Sequence, residues 1–146
     1  MNLWPKDLFE NLDKIEDPKK ILERQGEILS DKTRNLVRGE IRPISKSSFR
    51  DVSDEFYYAF SIEAPALRYS YDLMTIQYDI ALYPTEIEFE DNKKTANSEE
   101  EFIILIKDVL SSPKTIRIVR SLLAMLDFQP PDDEYEVAQE EDDIPF

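Results

Sequence analysis

The sequence contains no cysteine and no histidine, and its only glycines are Gly26 and Gly39. Without these side chains the chain has no thiolate nucleophile, no imidazole base and no zinc site built from nitrogen and sulfur ligands. Two isolated glycines cannot form the glycine-rich loop that binds phosphate in many nucleotide-binding proteins. We therefore expect a protein that is not an enzyme and needs no cofactor. Carboxylate chemistry with a hard cation is the main catalytic alternative left.

Long apolar segments are missing as well. No run approaches the roughly 20 consecutive apolar residues that a helix needs to cross a bilayer. Residues 1–7 have neither the basic start nor the apolar centre of a secretory signal. A chain of 146 residues is long enough to bury one core without disulfides or a metal. We therefore expect a single cytoplasmic domain that has no membrane partner.

Charge is abundant and unevenly distributed. The net charge is −14, and residues 129–146 contain eight acids and no base, so this segment contributes −8 and residues 1–128 the remaining −6. The segment also has too little apolar content to offset the entropy that a chain loses when it becomes ordered. We therefore predict an α+β core domain over residues 1–128 and a flexible, disordered acidic tail over residues 129–146.

Four segments show the 3.6-residue apolar period of amphipathic helices. Two of them lie near the N-terminus, over residues 5–15 and over residues 18 to about 33. The third begins at Ser98, which opens a capping box, and the fourth begins at Ser112, which precedes a proline. The sequence therefore predicts a helical pair at each end of the core.

The middle of the chain alternates between apolar and polar residues, which is the period of β-strands. This pattern predicts four strands, over residues 37–42, 56–62, 71–82 and 85–90. One wet and one apolar face on each strand is typical of an antiparallel sheet. The predicted fold is thus α+β, with a four-stranded antiparallel meander flanked by an N-terminal and a C-terminal helical pair.

The last six residues combine negative charge with an aromatic end, and they are Glu141, Asp142, Asp143, Ile144, Pro145 and Phe146. Phe146 offers a ring for an apolar pocket and a terminal carboxylate that an arginine or backbone amides can bind. Pro145 restricts Ile144 to extended conformations, which lowers the entropy cost of binding. The acids before them favour association with a basic rim, mainly through the association rate.

These six residues, which we call the acidic tip, resemble the acidic tip of bacterial single-stranded DNA-binding proteins. In that family the tip follows a disordered linker and docks helicases, nucleases, primosome components and recombination mediators. The resemblance covers residues 141–146 only, since the core has none of that family's strand patterns, and it implies nothing about DNA binding by this chain. It does imply an interaction protein of bacterial or bacteriophage origin that docks DNA replication, repair and recombination proteins.

A second set of residues mixes arginine with tyrosine, as a surface for single-stranded nucleic acid would. Its members are Arg38, Arg42, Tyr57, Arg68, Tyr69 and Tyr71. Acids over the same span nearly cancel the positive charge, so a solvated sheet face with tyrosines packed at its rim is the other interpretation. If the set binds nucleic acid, the tail would compete for the same face. A third hypothesis is an acidic inhibitor or immunity protein that blocks a basic target with its body.

A weaker pattern follows the last predicted strand. Glu88, Asp91 and Lys93 resemble the carboxylates and lysine with which a metal nuclease holds magnesium and stabilises charge. No companion acid lies upstream at a suitable position, and a charged turn after an edge strand explains the same residues. The sequence therefore predicts no metal site.

Overall fold

A computed structural model describes residues 1–44 and 55–130 of the chain. Over these ranges the protein forms three α-helices and one antiparallel sheet of five strands, which lie side by side in chain order. The α+β class and the antiparallel meander predicted from the sequence are therefore confirmed. In chain order the elements are α1 (Pro18–Lys32), β1 (Arg38–Pro43), β2 (Phe56–Ala64), β3 (Tyr69–Tyr78), β4 (Thr85–Phe89), β5 (Asn92–Ala96), α2 (Glu99–Leu110) and α3 (Pro113–Met125).

All three helices pack on the same face of the sheet. α1 contacts Gly39, whose cross-strand partner Ile62 also lines a groove beside α3. α2 lies against Ile87 and Phe89 of β4. Phe89 pairs with Met74 of β3, and Met74 pairs with Phe60 of β2, so α2 lies on the same face of the sheet as Phe60. We call this the helix face, and we call the opposite side, which no described helix covers, the open face.

The hydrophobic core lies between the helix face and the helices. Its largest members are apolar strand residues, spaced two apart, and the inward residues of the helices. They include Leu22, Val37, Phe60, Ile62, Met74, Ile76, Ile87, Phe102, Ile106 and Leu122. Burying side chains of this kind contributes roughly 1.5–3 kcal/mol each. The core therefore fixes the position of the helices on the sheet.

The predicted helix starts are confirmed by their caps. Asp17 accepts a hydrogen bond from the backbone N–H of Lys20 at 2.7 Å. Ser98 accepts one from the backbone N–H of Glu101 at 3.2 Å, and Ser112 accepts one from the N–H three residues on at 3.3 Å. Each cap satisfies an N–H that the first turn of a helix leaves unpaired.

The two glycines face each other where α1 crosses β1. A Cβ atom on Gly39 would lie 2.7 Å from Gly26 Cα and 2.7 Å from the ring of Phe60, and a Cβ atom on Gly26 would strike the carbonyl of Gly39. Neither contact leaves room for a methyl group. Both glycines of the chain are therefore used at one close approach between a helix and the sheet.

The helix predicted over residues 5–15 is wrong. The structure has only a short 3-10 turn there, at Leu12–Lys14, and the apolar side chains of the segment are exposed, with Phe9 at 76% and Leu12 at 51%. An isolated helix shorter than about 12–15 residues is marginal in water unless its apolar face packs on something. None of its apolar side chains belongs to the hydrophobic core of the described residues. The N-terminal helical pair is therefore a single helix, α1.

The predicted strand count is also wrong, because residues 92–96, which follow the last predicted strand, form a fifth strand. β5 pairs along its length with β4, from Asn92 opposite Phe89 to Ala96 opposite Thr85. Four of its five side chains are exposed, so it has no alternating apolar pattern. β3 also begins and ends earlier than predicted, at Tyr69 and Tyr78. The acidic tail from residue 131 onward lies outside the described residues.

Candidate functional site

The acidic tip lies outside the described residues, but the structure describes the point from which the tail starts. After α3 the chain turns at Asp127, and the ring of Phe128 lies 5.3 Å from the guanidinium of Arg34. Arg34 also donates a hydrogen bond to the backbone carbonyl of Gln129 at 3.0 Å. Arg34 follows the C-terminal end of α1. The tail therefore starts where the C-terminal ends of α1 and α3 lie close together.

The structure does not bring the predicted arginines and tyrosines together on one surface. The strand register places Arg38, Arg42 and Tyr57 on the open face. Tyr69 lies on the helix face beside α3, and Tyr71 lies there as well, under the ammonium of Lys114 at 4.9 Å. Arg68 is exposed in the turn before β3. Two of the three tyrosines are thus separated by the sheet from Arg38 and Arg42.

On the open face, Arg42 is held by a compact network. Its guanidinium donates to both carboxylate oxygens of Asp72 at 2.9 Å and to the hydroxyl of Ser61 at 2.7 Å, and that hydroxyl donates to Asp72 at 2.7 Å. The hydrogen bonds from Arg42 and then from Ser61 lower the pKa of Asp72, and the bond with Asp72 raises the pKa of Arg42. This arginine is already neutralised within the fold, which leaves less of its charge for a phosphate.

The charges of the open face favour cations over phosphates. Among the described strand residues, those on this face include three bases, Arg38, Arg42 and Lys93, and five acids, Glu40, Glu63, Asp72, Glu86 and Glu88. Two of the bases are paired, Arg42 with Asp72 and Lys93 with Glu86 at 3.7 Å. A surface with excess negative charge repels the phosphates of nucleic acid. The described part of the open face therefore gives no support to nucleic-acid binding.

The residues weighed as a metal nuclease lie in the β4–β5 hairpin. Glu88 and Lys93 are cross-strand partners, and Asp91 lies in the turn between the strands. Over residues 1–44 and 55–130, no group of three or more acids is close enough to hold a metal ion. The hairpin is accounted for as a charged sheet edge, which discourages pairing with another sheet.

A groove between α1 and α3 is the site that the sequence did not predict. Its volume is about 300 Å³, and its lining is almost entirely apolar. Phe60 and Ile62 form its floor, and the walls come from both helices and the end of α2. Its lining residues are Gln25, Leu29, Phe60, Ile62, Leu110, Thr115, Ile116, Val119 and Arg120. We call it the α1–α3 groove.

The exposure of one apolar residue of α3 marks this groove. The apolar stripe of α3 includes Ile116, which a fully covered helix would bury, but Ile116 is 43% exposed in the structure. Arg120 lies one helical turn further along and lines the same groove. An apolar pocket with a few polar groups at its edge is the common form of a ligand site. α3 therefore presents an apolar surface with a cationic edge.

Comparisons with known proteins add no assignment, since no protein-family model, curated protein or solved structure matches this chain. Among the described residues, no helix has the length and apolar character that crossing a membrane requires.

Proposed function

We propose that this protein is a non-enzymatic interaction protein that docks DNA replication, repair or recombination proteins through its acidic tip. The observation that carries the proposal is one stretch of sequence, in which a run of acids without a base ends in Ile144, Pro145 and Phe146. A hydrophobic anchor beside negative charge suits a partner pocket that is apolar inside and basic at its rim. Helicases, nucleases and recombination mediators that read tips of this kind are the expected partners.

The point where the tail starts supports this use of the tip. The described chain ends at residue 130, just after the carbonyl of Gln129 is bound by Arg34. The next 16 residues, 131–146, could span about 50 Å if fully extended. A tip on so long a tether can enter a partner's pocket while the partner remains clear of the folded core. The tether therefore removes most steric limits on the partner's shape.

The test is a binding titration of the full chain with a purified mediator or nuclease that reads such tips. Phe146→Ala removes the ring that fills the pocket, and truncating a central aromatic anchor typically costs about 2 kcal/mol or more, which is about 30-fold in Kd. Tyr135→Ala is the matched control, because it removes an aromatic side chain from the same tail outside the tip. We expect the control to bind like the wild type.

A further variant examines the role of a terminal carboxylate. Adding two glycines after Phe146 keeps the ring and moves the carboxylate away from it. If the partner binds the carboxylate and the ring together, this extension weakens binding as Phe146→Ala does. Equal binding by the wild type and Phe146→Ala, or no binding by the wild type, would remove the proposal.

The inhibitor hypothesis also has a specific observation behind it, which is the acidic open face. A body that blocks a basic target would use acids such as Glu86 and Glu88, which lie on that face next to each other along β4. Its binding would survive removal of Ile144, Pro145 and Phe146 and would be lost in a Glu86→Lys, Glu88→Lys double variant. The docking hypothesis predicts that removing the tip abolishes binding and that the double variant still binds. The inhibitor hypothesis predicts the reverse.

A further inference from the structure

The α1–α3 groove has the chemistry that the acidic tip needs. Its interior is lined by aliphatic and aromatic side chains, and Arg120 lies at its edge. Apolar cavities of about 150 Å³ already hold a benzene ring, and this groove measures about 300 Å³. It therefore has room for one aromatic ring and a neighbouring apolar side chain.

α3 also provides positive charge without any acid of its own. Its sequence contains Lys114, Arg117 and Arg120 and no Asp or Glu. Lys114 is engaged with Tyr71, which raises the pKa of the lysine through a hydrogen bond. Arg117 and Arg120 are exposed and form no ion pair with another residue of the described ranges. In a core domain of net charge −6, this helix is a local site for anions.

The tail can reach this site. It starts next to the end of α1, where Arg34 binds Gln129, and 16 residues follow the described chain. A flexible chain of that length has an end-to-end distance of about 22 Å, whereas α3, with 13 residues, is about 20 Å long. The tip can therefore return to any point along α3. Tethers of this kind give effective concentrations of about 1 mM.

We propose that Ile144, Pro145 and Phe146 occupy the α1–α3 groove of their own chain, with the preceding acids beside Arg117 and Arg120. The proposal goes beyond partner docking, because the contact needs no partner. It also needs no terminal carboxylate, because Asp142 and Asp143 supply negative charge. The groove then acts as an internal competitor for the tip.

Internal docking would set how tightly a partner binds. At an effective concentration of about 1 mM, a groove affinity of about 0.1 mM keeps about 90% of the tips docked. A partner then binds about tenfold more weakly than it would bind a free tip, since only the undocked fraction is competent. Releasing the tip from the groove should raise partner affinity by the same factor.

The experiment compares backbone amide NMR spectra of the full chain and its Phe146→Ala variant. We expect the amide shifts of residues lining the groove, such as Leu29, Phe60, Ile62 and Val119, to change together. Shift changes confined to the tail would overturn the proposal. Phe146→Ala alters no residue of the described fold, so misfolding cannot produce either result.

A second variant changes the groove side of the contact. Arg117→Glu with Arg120→Glu should give the same changes at Leu29 and Ile62 as Phe146→Ala does, and Lys6→Glu, which reverses an exposed charge outside the groove, should not. Thermal unfolding by circular dichroism checks that each variant is folded. If the double variant is folded and leaves these amides at their wild-type shifts, the tip does not lie beside these arginines and the proposal fails.

A dilution series separates this chain's own tip from that of a second copy. Groove shifts that are constant between about 10 µM and 100 µM, well below the effective concentration of the tether, support docking within one chain. Shifts that grow with concentration, together with dimers in sedimentation, assign the groove to a second copy and overturn the intramolecular proposal.

Partner titrations keep this inference distinct from the proposed function. If no partner binds the tip but the groove shifts respond to Phe146→Ala, the proposed function fails and internal docking stands. If a partner binds the wild type and the Arg117→Glu, Arg120→Glu variant with equal Kd, internal docking fails and the proposed function stands.

Discussion

Replacing Gly26 by alanine should destabilise the protein, although alanine is the better helix former. In the interior of a helix, Gly→Ala normally stabilises by about 1 kcal/mol. Here the added Cβ atom would strike the carbonyl of Gly39. That atom belongs to the backbone of β1, which is paired along its length with β2, so it cannot move aside as a side chain could. α1 would have to move away from the sheet.

The expected cost follows from the effect of overpacking. Inserting a methyl group into a tight contact typically costs about 1–3 kcal/mol, and a backbone neighbour places this site at the upper end of that range. After the gain in helix propensity, Gly26→Ala should lower the free energy of unfolding by about 2 kcal/mol. For a domain of this size the melting temperature should fall by about 5–8 °C.

The assay is urea unfolding followed by circular dichroism at 222 nm. Ser121→Ala is the control, because Ser121 is an exposed position in α3 and its variant should stay within about 0.5 kcal/mol of the wild type. A Gly26→Ala variant that is as stable as the wild type, or more stable, would refute the close approach between α1 and β1.

Three further predictions concern the cap of α2, the open-face network and the N-terminal segment. Ser98→Ala removes the hydrogen bond to the N–H of Glu101, so urea unfolding should show a loss of about 1 kcal/mol, and an unchanged midpoint would contradict the cap. Asp72→Asn should cost less than about 1 kcal/mol at pH 7, because Asp72 and Arg42 are each half exposed. Since the fold lowers the pKa of Asp72 below its ordinary value of 3.8, its contribution is complete above that value and is lost as the pH falls through the lowered pKa. The free energies of unfolding of the wild type and Asp72→Asn should therefore converge in strong acid. A difference that persists there would show that it does not come from the charge of Asp72. Deleting residues 1–10, which are all exposed, should change the free energy of unfolding by less than about 0.5 kcal/mol, and a larger loss would mean that the segment packs on the core.

Sequence periodicity predicted the elements whose formation depends on their own residues. α1, α2 and α3 each begin with a side-chain cap, and their apolar residues recur at helical spacing toward the core. Both signals are local, so a single sequence contains them. Alternation also assigned the residues of β2 to their two sides of the sheet. In β3 the register shifts opposite Phe60 and Ser61, so that Tyr71 lies on the same face as Met74 and not on the opposite one, as strict alternation predicts.

The elements that were missed depend on contacts between distant parts of the chain. β5 contributes only Ala96 to the interior, and its pairing partner β4 specifies it as a strand. The segment over residues 5–15 has a helical apolar period, but none of its apolar side chains joins the core of the described residues. The α1–α3 groove joins residues as far apart as Leu29, Phe60 and Val119. No local pattern could have placed these three together.

The distribution of charge makes the helix face a more favourable site for the tail than the open face. The described strands carry more acids than bases on the open face, which therefore repels a tail with eight acids, whereas α3 has three bases and no acid. The nucleic-acid hypothesis requires the tail and a phosphate chain to compete for the arginines of the open face, where Arg42 is already paired with Asp72. Docking of the tip requires only an apolar pocket with a cationic rim. α3 and the groove beside it combine these two features, and we expect an external partner to present the same combination.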